Sequence, residues 1–313
     1  MGIYLGIDTS NYTTSAAIYN SKTGEVRNIK KLLPVKEGNK GLRQSDAVFL
    51  HTKTMPEIIH NALDNINDIS AVGVSAKPRD AEDSYMPCFL AGYSVASSIS
   101  EVKKCNLYNF SHQRGHIASA IFSSNKFNLF NEKFIAFHVS GGTTDALIIE
   151  PDKELIIKCN PATSTLDLNA GQVVDRVGLM LGLSFPCGKE LEKFALSADK
   201  VIKAKPVLKD GFCCLSGVEN KCQALIKNGE KAENIALYVL NFIYETIKLM
   251  AEYLLEKHGD LPIVFAGGVM SNSIIREKLS KDFNCYFAEP DFSCDNAVGI
   301  AILTAIKEGN FNL

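Results

Sequence analysis

No run of residues in this chain approaches the roughly eighteen uninterrupted apolar positions that a membrane-spanning helix needs, so membrane insertion is not expected. A charged and apolar leader is missing as well. Met1 runs directly into Ile3, Tyr4, Leu5, Gly6 and Ile7, which read as a strand, and secretion is not expected either. Cysteines in CxxC pairs are absent; the nine present are scattered and odd in number, which argues against a disulfide framework or a zinc ribbon. That pattern fits a reducing cytoplasm, with most of the thiols serving as small buried apolar groups. An excess of one sign of charge is lacking: the net value is -2, which gives no global attraction to nucleic acid. An RNA partner must therefore use local patches, for which Lys30, Lys31, Lys36 and Lys40, or Lys200, Lys203, Lys205 and Lys209, are the candidates. Long linkers and low-complexity tracts are lacking too.

What is present is a chain of 313 residues, 46% apolar and 22% charged, the composition of a folded, water-soluble protein large enough for two lobes. The lobes are expected at 1–110 and 111–313, with the final helix able to pack back across that boundary. Residues 6–18 recur in character at 139–148: an apolar strand, a small-residue polar turn, and a returning β-rich strand. Helical patterning covers 46–63 and 89–102 around a short strand at 69–74. A long helix is expected over 232–258, stopped by Gly259, then a buried strand at 263–265 and a helix capped by Ser271 or Asn272. A strand near 285–288 precedes a terminal helix over 295–307.

Three turns follow strands and are rich in glycine or hydroxyls: 8–14, 140–144 and 267–272. Glycine lets a backbone approach an anion closely, while free amides and hydroxyls donate to it, so each suits phosphate or nucleotide. Asp8, at a strand end, is placed to orient a metal or a metal-bound water. His112 and His116 stand at i and i+4, on one face of a helix about one turn apart, where a single ion can take both. Gln113 follows the first histidine where zinc metalloproteases carry their catalytic glutamate, so simple peptidase chemistry is disfavoured. Gly115 inside that helix costs roughly 1 kcal/mol relative to alanine, which points to a close neighbour. Asp295 offers a third, oxygen ligand and His138 a further candidate. The mixed nitrogen and oxygen set suits iron, zinc or manganese better than calcium.

These features, with three further segments in the same order, resemble the universal tRNA threonylcarbamoyladenosine synthases, long labelled O-sialoglycoprotein endopeptidases or glycoproteases. The paired-histidine helix corresponds to His112 and His116, the nucleotide turn to Val139, Ser140, Gly141 and Gly142, and an interlobe helix to Ala170, Gly171, Gln172 and Asp175. Leu181, Gly182 and Leu183 with Pro186 and Gly188, then Leu215, Ser216 and Gly217, then Gly267, Gly268 and Asn272, and finally Asp295 and Asn296 complete the order. The resemblance implies an α/β, actin-like ATPase fold with ribonuclease H-like duplicated lobes, mixed sheets flanked by helices. It implies one metal ion, iron or zinc, on His112, His116 and Asp295, and nucleotide or substrate contacts from His138, Val139, Ser140, Gly141, Gly142, Asp175, Gly188 and Asn272. Asp8, Gly267 and Gly268 join that set from the turns. His138 stands where some members have a tyrosine metal ligand.

The implied reaction passes a threonylcarbamoyl group from threonylcarbamoyl-AMP, an ATP-derived nucleotide, to N6 of adenosine 37 in tRNA. Other threonylcarbamoyladenosine-synthesis proteins are candidate partners. Departures cluster in the first lobe. The family's glycine-proline-glycine-leucine turn is replaced by residues 76–87, and its histidine-containing segment by residues 43–51. Arg43, Lys77 and Arg79 add positive charge there. These departures suggest a divergent paralogue, so a noncatalytic or altered-acceptor nucleotide- and metal-binding protein is the alternative, with proteolysis last because neither a base beside the histidines nor a serine or cysteine triad is evident.

Overall fold

The computed structural model describes residues 2–10, 12–34 and 42–311. Lys36 and Lys40 of the first basic patch, and Asn11 of the first turn, lie outside the described residues. The chain divides into two compact units, Met1–Glu132 with Pro151–Cys159 and Asp291–Leu313, and Lys133–Glu150 with Asn160–Pro290. The histidine helix, expected in the second lobe, belongs to the first unit together with the terminal helix, for which packing back across the boundary was expected as an option; the two pack on each other.

In the first unit, β1 (Ile3–Asp8), β2 (Thr13–Asn20) and β3 (Val26–Leu32) form an antiparallel meander. Helix α1 (Gln44–Ala62), β4 (Ala71–Lys77), α2 (Phe89–Lys103) and β5 (Asn106–Ser111) follow, and β4 and β5 join parallel to β1 in the order β3-β2-β1-β4-β5. Alternation along the strands sorts the two faces. Leu5, Ile7, Val72 and Val74 pack with Met55, Ile58 and Ala96 of α1 and α2. Gly6 and Gly73 sit on the other face, where a Cβ would meet Ala301 N at 2.5 Å and Thr304 Oγ1 at 2.0 Å. Helix α3 (His112–Ser123) also belongs to this unit.

The second unit repeats the plan. Strands β6 (Phe134–Val139), β7 (Thr144–Asp152) and β8 (Ile156–Ser164) lie in the order β8-β7-β6, and β11 (Ile263–Ala266) and β12 (Cys285–Phe287) extend the sheet parallel to β6. The tip of the β7–β8 hairpin is counted with the first unit. Between β8 and β11 come α4 (Ala170–Met180), α5 (Gly188–Leu196), the short hairpin β9 (Leu208–Lys209) and β10 (Phe212–Cys213), α6 (Ser216–Lys227) and α7 (Ala232–His258). Helix α7 spans the expected 232–258, and Gly259 stops it at φ +88°. Helix α8 (Ser273–Asp282) starts at Asn272, whose side chain accepts from Ile275 N at 3.1 Å.

The terminal helix differs from expectation. A short α9 (Pro290–Ser293) is followed by a bend, and α10 (Val298–Lys307) begins three residues after Asp295. Asn296 causes the break: its amide donates to Phe292 O and Cys294 O, and its Oδ1 accepts from Val298 N at 3.0 Å. Asp295 is thus held on a connector whose neighbour is pinned on both sides.

Candidate metal centre and glycine turn

Helix α3 begins at His112 because Ser111, in extended conformation, caps it by accepting from Arg114 N at 3.2 Å. His112 and His116 therefore share one face. The helix crosses α10 at unusually short range: a Cβ on Gly299 would lie 1.8 Å from Gly115 O, and one on Gly115 would lie 2.9 Å from Ile300 Cδ1. This contact is the close neighbour that the mid-helix glycine called for. It also carries the connector ahead of α10 up to the histidines. Ser119 Oγ donates to Asn296 Oδ1 at 3.1 Å, which fixes the residue next to Asp295.

The result is a convergent set. His116 Nε2 lies 2.8 Å from His112 Nε2, and Asp295 Oδ1 lies 3.2 Å from His116 Nε2 and 3.6 Å from His112 Nε2. Among the described residues, these three form the group of histidine, cysteine and carboxylate ligands that meets at one point. The other nitrogen of His112 is 2.7 Å from Asp8 Oδ2, whose carboxylate is fully buried and also accepts from Ser10 N at 2.8 Å and from Ser75 Oγ. Asp8 thus faces His112 and not open space, so it stands beside the candidate metal ligands and reaches them through the His112 ring.

Electrostatics couples the group. Burial disfavours the imidazolium of His112, yet Asp8 and Asp295 outweigh it and raise the pKa to about 10. Burial likewise disfavours both carboxylates, but the histidines outweigh it: His112 lowers Asp8, and His112 with His116 holds Asp295 well below the usual carboxylate range. With Nδ1–H donating to Asp8, a neutral His112 turns an unprotonated Nε2 toward His116 Nε2. Two ring nitrogens 2.8 Å apart need a proton or a cation between them, because two bare lone pairs at that distance would repel. The donor set, two nitrogens and one carboxylate oxygen with a supporting carboxylate behind, fits a transition-metal ion.

The second unit gathers most of the remaining predicted residues. Parallel pairing sets Ala266 beside His138, so the turns after β6 and β11 emerge together. Gly267, at φ +98°, is required there because a Cβ would stand 2.3 Å from Val139 O. Ser140 N donates to Thr143 O, and Ser140 Oγ accepts from the amides of Gly142 and Thr143 at 3.2 Å. Gly171, at the start of α4, fits so tightly that a Cβ would lie 2.5 Å from Gly141 N. Gly141 and Gly268 face open space, so a ligand can approach their backbone. His138 Nδ1 lies 3.2 Å from Thr143 Oγ1, and the convergent metal-ligand set does not include it. Asp175 accepts from Cys187 N at 2.9 Å, one residue before Gly188, and burial raises its carboxyl.

Against this geometry, the sequence profile described as "TsaD: tRNA N6-adenosine threonylcarbamoyltransferase" matches residues 36–302. The chain belongs to this family of transferases. A curated member from Sulfurihydrogenibium sp. (strain YO3AOP1), named tRNA N6-adenosine threonylcarbamoyltransferase, is 28% identical, covering 96% of this chain and 88% of that one. A protein of Thermoplasma volcanium named a probable bifunctional tRNA threonylcarbamoyladenosine biosynthesis protein is 23% identical over 96% of this chain and 55% of its own length. Among solved structures, component A of the (R)-2-hydroxyglutaryl-CoA dehydratase of Acidaminococcus fermentans matches with TM-score 0.59 at 15% identity, covering 99% of this chain and 100% of that one. A ROK family glucokinase from Streptomyces griseus gives TM-score 0.52 at 12% identity, covering 97% and 100%. These likenesses establish the actin-like ATPase fold of the family member described here.

Some features had no sequence signal. Arg114, between the two metal-helix histidines, is buried and clasps Asp80. His51 is buried with Nδ1 2.8 Å from Thr14 Oγ1 and no hydrogen-bond partner on Nε2. Of the basic patches, Lys31 pairs with Glu57 and Lys200 with Glu230, while Lys203, Lys205 and Lys209 stay exposed. No helix among the described residues is long and apolar enough to cross a membrane.

Proposed function

We propose that this chain transfers a threonylcarbamoyl group from threonylcarbamoyl-AMP to N6 of adenosine 37 in tRNA, using one iron or zinc ion held by His112, His116 and Asp295. The observation that carries this reading is the meeting of those three ligands with Asp8 behind His112. Each side chain then has a task. Asp8 fixes the His112 tautomer by accepting from Nδ1, so that Nε2 faces inward; Asn296 and the Gly115–Gly299 contact hold Asp295 in register. A bound ion supplies Lewis acidity to a carbamoyl or phosphate oxygen.

In the second unit, the turn around Ser140, Gly141 and Gly142 offers amides and hydroxyls to the adenylate, with Gly267 and Gly268 beside it and Asn272 nearby. Asp175 and Gly188 line the same nucleotide, Asp175 as a positioning group and not a proton donor. The exposed Lys203, Lys205 and Lys209 are the local patch for the tRNA backbone, and other proteins of threonylcarbamoyladenosine synthesis are the expected partners. One feature favours a changed acceptor within the same chemistry: the family's turn after β4 is replaced by residues 76–87. Mass spectrometry of tRNA nucleosides from cells depleted of the protein tests the reading. Loss of threonylcarbamoyladenosine supports it; an unchanged level points to the altered-acceptor alternative.

A further inference from the structure

The turn between β2 and β3, the far end of α3 and Phe311 line a half-open cleft of about 450 Å³, all of it within the first unit. That volume lies inside the roughly 300–1,000 Å³ of small-molecule sites. Four aromatic rings make one continuous wall: ring centres are 6.2 Å apart from Tyr19 to Phe122, 6.0 Å from Phe122 to Phe127, 5.2 Å from Phe127 to Phe311 and 5.5 Å from Phe311 back to Tyr19. Phe122 stands in the last turn of α3, and Phe127 opens the 3-10 turn that follows Asn125, whose φ is +55°. Tyr19 is only 6% exposed, and its hydroxyl has no hydrogen-bond partner among the described residues. A ligand can complete that donor and acceptor. Lys22 and Asn125 also line the cleft and are exposed, and Lys22 Nζ pairs with no carboxylate among the described residues. Ring faces alone would suit an organic cation. No carboxylate lines the cleft to neutralise one, however, and Lys22 repels it. A planar anion satisfies both parts, with its ring on the aromatic wall and its charge on the lysine. One lysine matches one phosphate, whereas a nucleic-acid strand needs a row of cations along its backbone.

We propose that this cleft is a mononucleotide site: the base lies on Phe127 and Phe311, the Tyr19 hydroxyl and the Asn125 amide meet its ring nitrogens and exocyclic groups, and Lys22 takes the phosphate. The site is separate from the metal centre, since Phe122 follows His116 by six residues, about 9 Å along α3. It is also separate from the glycine turn proposed for the adenylate, which belongs to the second unit. The proposal therefore does not rest on the transfer reading.

The test irradiates the full chain with azido-AMP, a photoreactive analogue, and maps the labelled peptides by mass spectrometry with AMP or adenosine as competitor. Label is expected on the segments that carry Tyr19, Phe122, Phe127 or Phe311, and AMP should protect them. Lys22→Gln, a change at an exposed position, should raise the AMP needed for protection about threefold and leave the adenosine requirement unchanged. Phe127→Leu, which keeps an apolar side chain but removes the ring, should raise both requirements about tenfold. Label confined to other segments, the glycine turn included, overturns the site. So does protection that neither substitution alters. A single-stranded oligoadenylate that protects these segments at lower concentration than AMP overturns the choice of a free mononucleotide. Absence of transfer by the wild-type protein sinks the functional reading alone, because the labelling pattern is read without it.

Discussion

Gly115 and Gly299 bring two helices into backbone contact: a Cβ on Gly299 would stand 1.8 Å from Gly115 O and 2.7 Å from Ser119 N. The contact is backbone on backbone, so no side chain can swing aside to relieve it. Gly299→Ala is expected to push α10 from α3, destabilise the protein by about 1–3 kcal/mol or more, and draw Asp295 away from the histidines. Thermal unfolding and zinc titration of the same variant check this. A variant that unfolds and binds zinc like the wild type contradicts it.

Asp8 contributes no ligand atom yet fixes one. Asp8→Asn should weaken metal binding about 10- to 100-fold, and His116→Ala, which removes a ligand outright, should weaken it further. Competition against a chromogenic chelator measures both. Equal affinity for Asp8→Asn and wild type removes Asp8 from the account.

The charge on His112 sets a pH dependence. Its pKa is raised from 6.5 to about 10, so at neutral pH the metal-free protein holds a proton that an incoming cation must displace. Zinc affinity is therefore expected to climb by about tenfold per pH unit while that one proton is released. The stability of the chelator-treated protein runs the other way. A raised histidine pKa contributes stability that is complete below 6.5 and is lost as pH rises through about 10. Calorimetry from pH 6.5 to 10 should show a falling midpoint without metal, and a flat midpoint speaks against the coupling.

Asp167 binds the start of α6. It accepts from Leu215 N at 2.7 Å and from Ser216 N at 3.1 Å and Ser216 Oγ at 2.6 Å. Burial works against its charge, but these donors and Leu168 N outweigh it and lower the pKa from 3.8 to about 2. A lowered carboxyl contributes stability above 3.8 that is lost as pH falls through about 2. Because the residue is exposed, solvent screens the gain, and Asp167→Ala should cost on the order of 1 kcal/mol at neutral pH. Urea unfolding should show the gap from wild type narrowing between pH 3.8 and 2.

Periodicity and turn chemistry made much of the fold legible. The recurrence of 6–18 at 139–148 is visible in two sheets with the same strand order, and α7 ends where Gly259 marks it. The spacing of His112 and His116 placed both rings on one face, and Gly115 signalled the crossing. What stayed hidden depends on long-range geometry. Asn296 reads as a helix starter, yet its side chain breaks the helix by bonding Phe292 O and Cys294 O. Asp8 sits in a turn suited to phosphate, yet its partner lies 104 positions away. Arg114 carries no sign of its burial in the sequence, because its partner Asp80 lies 34 positions away.

The central claim is a metal-dependent transfer centred on three converging ligands. Reconstitution with threonylcarbamoyl-AMP and unmodified tRNA, read by nucleoside mass spectrometry, tests it most directly. The account predicts threonylcarbamoyladenosine with the wild-type chain and its loss after chelation or with His112→Ala. Product formed equally by wild type, chelated protein and His112→Ala contradicts it.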